Sequence, residues 1–91
     1  MYRIETTRDF DRDIKAIEPP TAARIIKKME WLARHPELMK HPLKNMPEDL
    51  KGLQKYRVGD YRILFWVDHN HESIILYGVE HRRTVYKKFH R

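Results

Sequence analysis

Four side chains in the second half of the chain have the types needed to cleave a phosphodiester. Lys55, Arg57 and Arg62 lie around a Gly-Asp pair, and His81 follows an apolar stretch. Metal-free cleavage of RNA needs a base for the 2′-hydroxyl, cations for the phosphorane and an acid for the departing 5′-oxygen. A lysine can act as the base when neighbouring cations lower its pKa, and histidine titrates near neutral pH. These four residues are therefore candidates for that chemistry.

The Gly59-Asp60 pair predicts the turn that brings the cations together. Glycine at the first central position is typical of a two-residue β-hairpin, which places Arg57 opposite Arg62 and Lys55 opposite Leu64. Because side chains alternate along strands, the three cations then share one face. Directly opposed like charges destabilise a sheet by up to about 1 kcal/mol, and a bound phosphate would offset this cost. The alternatives are that the arginines extend into solvent or pair with nearby carboxylates, Asp60 and Glu80.

A second turn centred on Asn70-His71 extends this face to the last strand. The pairs that it predicts are Val67 with Ile74, Phe65 with Leu76, and Arg62 with Val79. In this register Tyr77 and His81 lie on the face of Arg57 and Arg62, where Trp66 also lies. Aromatic rings that can stack on splayed bases are thus expected beside the cations.

The segments that must position these residues follow the order β-α-α-β-β-β. Alternation predicts a strand over residues 1–6. Thr7 and Thr21 are predicted to cap two amphipathic helices, of which Pro19-Pro20 ends the first and His35-Pro36 the second. An irregular connection over residues 36–51 precedes strands at 53–58, 61–68 and 73–80. This order predicts an α+β fold in which a helical hairpin packs on one face of a small antiparallel sheet.

Length and composition limit the class of protein. The 91 residues suit a single domain over 1–91, and the absence of cysteine excludes disulfides and thiolate metal sites. No apolar run approaches the roughly 20 residues that cross a bilayer, so no membrane is expected. The first ten residues hold no continuous apolar segment, which favours the cytoplasm. His69 and His71 are better interpreted as a solvated turn than as metal ligands.

Positive charge is concentrated towards the end of the chain. The formal net charge is +6, and residues 51–91 carry nine Lys or Arg against four Asp or Glu. Five of the last ten residues are Lys or Arg. This asymmetry favours a polyanionic partner, most simply nucleic acid, over the alternative of a surface tuned for solubility.

Three motifs give the chain a family resemblance. They are LKNM at 43–46, YRVGDYR at 56–62 and HRRTVY at 81–86. With the order of elements, they resemble the RelE/ParE superfamily of toxins from type II toxin–antitoxin systems, and within it the RelE branch. The resemblance covers nearly the whole chain and implies the RelE-like fold.

The resemblance also implies an activity and roles for single residues. It implies an endoribonuclease that cleaves mRNA in the ribosomal A site, arrests growth by inhibiting translation, and uses neither metal nor cofactor. By position, Lys55 resembles the base of that branch, Arg57 and Arg62 its phosphate-stabilising arginines, and Tyr86 the residue that stacks on or orients the substrate. His81 is favoured over Arg82 as the general acid.

Two departures from the family pattern bear on these roles. Some members carry a second lysine where this chain has Leu53, and some carry a basic residue just after the last strand, where this chain has Glu80 and then His81. Further RNA contacts are expected from basic and aromatic side chains: Arg82, Arg83, Lys87, Lys88, Trp66 and Tyr77.

The resemblance implies partners as well. It implies neutralisation by a cognate antitoxin, whose acidic segment is expected to wrap the two helices near Ile26 and Trp31, and binding of the complex to operator DNA through the antitoxin. Two alternatives stay open: a ParE-like inhibitor of DNA gyrase, and a catalytically degenerate protein that binds RNA or a partner without cleavage.

Overall fold

The computed structural model describes residues 1–39 and 42–81, and its elements follow the predicted β-α-α-β-β-β order. The α+β fold class is confirmed. Two short 3-10 turns lie in the connection between the helices and the second strand. The elements are β1 (Arg3–Thr6), α1 (Arg8–Lys15), α2 (Pro19–Ala33), β2 (Gln54–Val58), β3 (Tyr61–Asp68) and β4 (Ser73–His81).

The sheet has the strand order β1-β4-β3-β2 and is mixed. Strands β2, β3 and β4 are antiparallel to their neighbours, but β1 pairs parallel to β4, from Arg3 opposite Ser73 to Thr6 opposite Leu76. The prediction of a wholly antiparallel sheet is therefore wrong for β1. The physical reason is that the intervening helices and hairpin give the long connection that a parallel pair requires.

The boundary between the helices also differs from the prediction. Thr7 caps α1 as expected, since its Oγ1 accepts a hydrogen bond from the Phe10 N–H at 3.2 Å. However, α1 ends at Lys15, and Pro19-Pro20 begins α2 instead of ending α1. A proline at the first helical position sacrifices no hydrogen bond, and its ring already holds a helical φ. Thr21 consequently lies inside α2 and does not cap it.

The hydrophobic core lies between the helices and one face of the sheet. Phe10 of α1 and the stripe Ile25, Met29 and Leu32 of α2 are at most 1% exposed. The strand residues in this cluster are Val58, Ile63, Phe65, Ile74, Leu76 and Val79. Burial of each large apolar side chain contributes roughly 1.5–3 kcal/mol. Because the helices occupy this face, a site built on the sheet must use the other one.

Among residues 1–39 and 42–81, the helices are too short or too polar to cross a bilayer.

Candidate functional site

The β2–β3 hairpin places the three predicted cations on the face away from the helices. Arg57 lies opposite Arg62 and Lys55 opposite Leu64, which confirms the predicted register. Gly59 has a φ of +61°, a conformation that favours glycine and fixes a two-residue turn. Since the alternating residues of both strands enter the core, the cations must lie on the opposite face.

The two arginines lack a carboxylate partner in the part of the chain that the structure describes. Ion pairs within 4 Å there join Arg12 to two aspartates of α1 and His71 to Asp68. Arg57 is exposed, and its Nε donates to the carbonyl oxygen of Gly59 at 3.0 Å, whereas Arg62 is half-buried. Neither Asp60 nor Glu80, the carboxylates suggested as an alternative, forms an ion pair within 4 Å with these arginines, so an anion can bind between the two guanidinium groups.

The register between β3 and β4 changes at a bulge. Val67 lies opposite Ile74 and Phe65 opposite Leu76, as predicted. Beyond the irregularity at Leu64 and Phe65, the pairs are Leu64 with Gly78, Ile63 with Val79 and Arg62 with Glu80. The predicted pairing of Arg62 with Val79 is wrong because the bulge inserts Tyr77 as an extra residue.

The bulge moves His81 away from the arginine face. His81 pairs with Tyr61, and their rings meet edge to face with centroids 5.6 Å apart. Tyr61 packs against the core on the helix side, and paired residues share a face. The expectation that His81 lies beside Arg57 and Arg62 is therefore wrong, and Glu80 occupies the position opposite Arg62.

Helix α1 and its N-cap residue hold the bulge, each through one side chain. Thr7 Oγ1 donates to the carbonyl oxygen of Tyr77 at 2.8 Å, and Asp13 Oδ2 accepts from the Val79 N–H at 3.0 Å. A Cβ added at Gly78 would lie only 3.1 Å from the same Oδ2. The sequence-based interpretation missed Asp13. The available signal was Gly78, because glycine within a strand pattern often marks a bulge or a close approach.

Trp66 and Tyr77, the aromatic residues predicted to lie beside the cations, contact each other. The Trp66 and Tyr77 rings lie 5.1 Å apart in an edge-to-face arrangement. Trp66 Nε1 donates to the carbonyl oxygen of Lys51 at 3.2 Å, and a Cβ at Gly52 would lie 3.7 Å from Trp66 Cδ1. The turn at 51–52 thus covers part of this face, and Trp66 is half-buried instead of presenting an open stacking surface.

The same face is closed further along the strands. Leu53 and Leu64 are fully buried although they lie outside the cluster beneath the helices. The open part of the sheet face away from the helices is therefore the hairpin end, which carries Lys55, Arg57 and Arg62. The other predicted site residues, Tyr86, Arg82, Arg83, Lys87 and Lys88, lie outside the described residues.

The histidines of the β3–β4 turn have partners within the protein. Asp68 Oδ2 lies 2.7 Å from His71 Nδ1, and Tyr2 Oη lies 2.8 Å from His69 Nδ1. The hydrogen bond with the His71 side chain, together with those from the turn backbone, lowers the pKa of Asp68. Across residues 1–39 and 42–81, no three His, Asp or Glu side chains are grouped so as to hold a metal.

The sequence was compared with models of known protein families. A family model described as the ParE toxin of type II toxin–antitoxin systems, parDE, matches residues 4–86. The chain belongs to this toxin family. The toxin is 27% identical over 88 residues to Toxin RelG of Mycobacterium tuberculosis, in an alignment that covers 96% of this chain and 98% of the relative. It is 28% identical over 87 residues to Toxin RelE of the same organism, with coverages of 94% and 87%. The predicted membership of the RelE/ParE superfamily is confirmed.

Solved structures share the fold of this toxin. The toxin–antitoxin complex RelBE2 of M. tuberculosis contains a chain with a TM-score of 0.73 and 28% identity, over 89% of the toxin and 98% of that chain. The isolated E. coli RelE toxin gives a TM-score of 0.72 at 16% identity, over 97% and 94%, which is a likeness of fold alone.

Proposed function

We propose that this toxin is a metal-independent endoribonuclease that cleaves mRNA in the ribosomal A site and so inhibits translation. The observation that carries the proposal is the opposed pair Arg57 and Arg62, which has no described carboxylate within 4 Å and shares its face with Lys55. A purely structural hairpin gains nothing from this repulsion, whereas a phosphate between the guanidinium groups would be held from both sides.

The geometry supports a division of roles for this reaction. Lys55 takes the proton of the 2′-hydroxyl, and the 2′-oxygen attacks the adjacent phosphorus. A P–O2′ bond forms as the P–O5′ bond breaks, which leaves a 2′,3′-cyclic phosphate and a 5′-oxygen that must be protonated. Arg57 and Arg62 stabilise the extra negative charge of the phosphorane, the step at which preorganised cations contribute most.

The general acid remains a prediction. His81 was favoured from the sequence, but its place opposite Tyr61 puts it on the other face of the sheet from Arg62. Loss of the His81 imidazole is therefore expected to reduce cleavage less than loss of the Arg62 guanidinium. Tyr86, predicted to orient the substrate, and Arg82, the other candidate for the acid, also stay predictions, which Tyr86→Ala and Arg82→Ala would test by loss of cleavage.

The proposed partners follow from the relatives. RelBE2 of M. tuberculosis is a toxin–antitoxin complex, and we propose a cognate antitoxin for this toxin, with an acidic segment that neutralises it. Through that antitoxin the complex would bind its operator DNA. The mRNA and the ribosome are the proposed targets of the free toxin.

The experiment is induced expression in a bacterial host with primer extension on a reporter mRNA. Wild type is compared with Arg62→Ala, His81→Ala and the control Arg3→Ala, which removes an exposed arginine from β1. Growth arrest with new 5′ ends inside codons, lost in Arg62→Ala and kept in Arg3→Ala, supports the nuclease. New ends that persist undiminished in Arg62→Ala would contradict the assigned site.

Inhibition of DNA gyrase is the second candidate, because the matching family description is that of the ParE toxin. It predicts arrest without new 5′ ends and with DNA damage signalling. The absence of any arrest, with the protein shown to accumulate, would overturn both activities and leave a binding protein.

A further inference from the structure

The outward face of α2 forms a basic groove. Its cations recur at helical spacing along one flank of the buried stripe of Ile25, Met29 and Leu32. Glu30 is the one acidic side chain among the residues that line the groove. The groove is lined by Arg24, Lys27, Lys28, Glu30, Trp31 and Arg34.

The charges of this groove are not neutralised within the described fold. No carboxylate of residues 1–39 or 42–81 lies within 4 Å of its four cationic groups. Like charges three and four residues apart on a helix repel one another by a few tenths of a kcal/mol per pair. The groove therefore has the electrostatic character of a polyanion-binding surface.

An aromatic ring lies at one end of the groove in a fixed orientation. Trp31 stacks on His35 with ring centroids 4.3 Å apart and planes at 27°. The Nδ1 atom of His35 lies 2.8 Å from the Trp31 carbonyl oxygen, which fixes the imidazole. The indole remains 37% exposed. Proteins that bind single-stranded nucleic acid commonly combine a cationic groove with exposed aromatic rings.

Arg24 brings one end of the groove to the hairpin turn of the candidate site. The Arg24 Nη2 atom lies 3.4 Å from the position that a Cβ on Gly59 would occupy. From the other side of the sheet, Arg57 Nε donates to the Gly59 carbonyl oxygen. Both guanidinium groups thus lie beside Gly59 of the hairpin turn, at the β2 edge of the sheet. From Arg24 to Arg34 the groove runs for about 15 Å along the helix.

We propose that the α2 groove binds the backbone of single-stranded RNA that continues from the phosphate held between Arg57 and Arg62. The inference rests on the proposed function and extends its substrate beyond the cleaved bond. An acidic protein segment would also match the charge. RNA is favoured because Arg24 of the groove and Arg57 of the phosphate site both lie beside Gly59. It is also favoured because Trp31 is the one large apolar side chain lining the groove, where a docked helix needs a row of apolar pockets.

The test measures binding apart from cleavage. The full-length toxin is titrated, by fluorescence anisotropy, with labelled 2′-O-methyl RNA, which lacks the nucleophile and cannot be cut. A trinucleotide is compared with a dodecanucleotide. The groove variant combines Lys27→Gln, Lys28→Gln and Arg34→Gln, and the matched control combines Arg3→Gln, Lys15→Gln and Lys44→Gln, which removes the same charge from exposed positions elsewhere.

The groove variant is expected to bind the dodecanucleotide about tenfold or more weakly than the control, with a shallower salt dependence between about 50 and 200 mM. Trinucleotide binding should be equal in the two variants. Equal losses of dodecanucleotide binding in the groove variant and in the control would overturn the inference. So would tighter, groove-dependent binding of poly-glutamate than of RNA, which would identify a protein-docking surface.

Failure of the proposed function gives a different result. The toxin could cleave no RNA, with or without ribosomes, while the groove variant alone loses dodecanucleotide binding. That result would support RNA binding by the groove and contradict the proposed nuclease activity. If cleavage occurs and both variants bind RNA alike, the nuclease activity is supported and RNA binding by the groove is contradicted.

Discussion

The carboxylate of Asp13 in α1 accepts a hydrogen bond from the backbone N–H of Val79 in β4, at 3.0 Å and across 66 residues of sequence. This N–H lies just beyond the bulge, where the ladder between β3 and β4 is interrupted. A helix side chain thus supplies the acceptor that the sheet does not. Because the bulge decides which β4 residue lies opposite Arg62, Asp13 supports the register of the candidate site.

Asp13→Ala should destabilise the fold by about 1–3 kcal/mol, since Val79 is only 7% exposed and its N–H would lose its partner. Asp13→Asn keeps a side-chain oxygen and should retain most of the stability. Urea denaturation, with the midpoint shifted at constant slope, measures both. Equal losses in the two variants would mean that the charge, and not the hydrogen bond, matters.

Gly78→Ala should also destabilise the fold, by about 1–3 kcal/mol, because the new methyl group would lie 3.1 Å from Asp13 Oδ2. In the background of Asp13→Ala the same methyl group has room. The double variant should therefore lose less stability than the sum of the two single losses. A double-mutant cycle by urea denaturation measures this coupling, and strict additivity would show that the two residues act separately.

Arg62→Gln should separate stability from activity. Relief of the repulsion with Arg57 and loss of the attraction to Glu80 should largely offset each other, so the free energy of unfolding should change by less than about 1 kcal/mol. RNA cleavage should fall about a hundredfold or more, because a cation aimed at the phosphorane is lost. Denaturation and single-turnover cleavage are measured together, with Arg3→Gln as the control. If Arg62→Gln instead unfolds enough of the protein to account for the lost cleavage, Arg62 has a structural role.

The β3–β4 turn should show a local pH dependence. The His71 side chain lowers the pKa of Asp68 mainly through its hydrogen bond, so His71→Ala should raise that pKa towards its ordinary value. A depressed carboxyl pKa stabilises the fold above the unfolded value, about 4, and this contribution is lost as pH falls through the folded value. Carboxyl NMR titration measures the shift. His69→Ala is the control, and an equal shift there would contradict the assignment.

The hairpin was predictable because its signals are local. Gly59-Asp60 fixes the turn length, and strict alternation on both sides then determines that Arg57 lies opposite Arg62. The bulge was not predictable by counting, since one inserted residue leaves the apolar character of β4 unchanged. That single residue transferred His81 to the Tyr61 side of the sheet.

The predictions of the helix boundary and of the direction of β1 failed for other reasons. A Pro-Pro pair is compatible with the end of one helix or the start of the next, and only the packing of α2 decides between them. For β1, alternation reveals a strand but not its neighbour, because parallel pairing with β4 depends on contacts about 70 residues apart.

The pairing of β1 with β4 has a consequence for biosynthesis. Strand β1 has β4 as its partner, so Arg3 cannot be matched with Ser73 until the roughly 70 residues between them have been made and β4 has left the ribosome. Until then β1 has no hydrogen-bonded neighbour in the sheet, and closing so long a loop slows folding. A nascent chain that stalls before β4 therefore cannot complete the sheet.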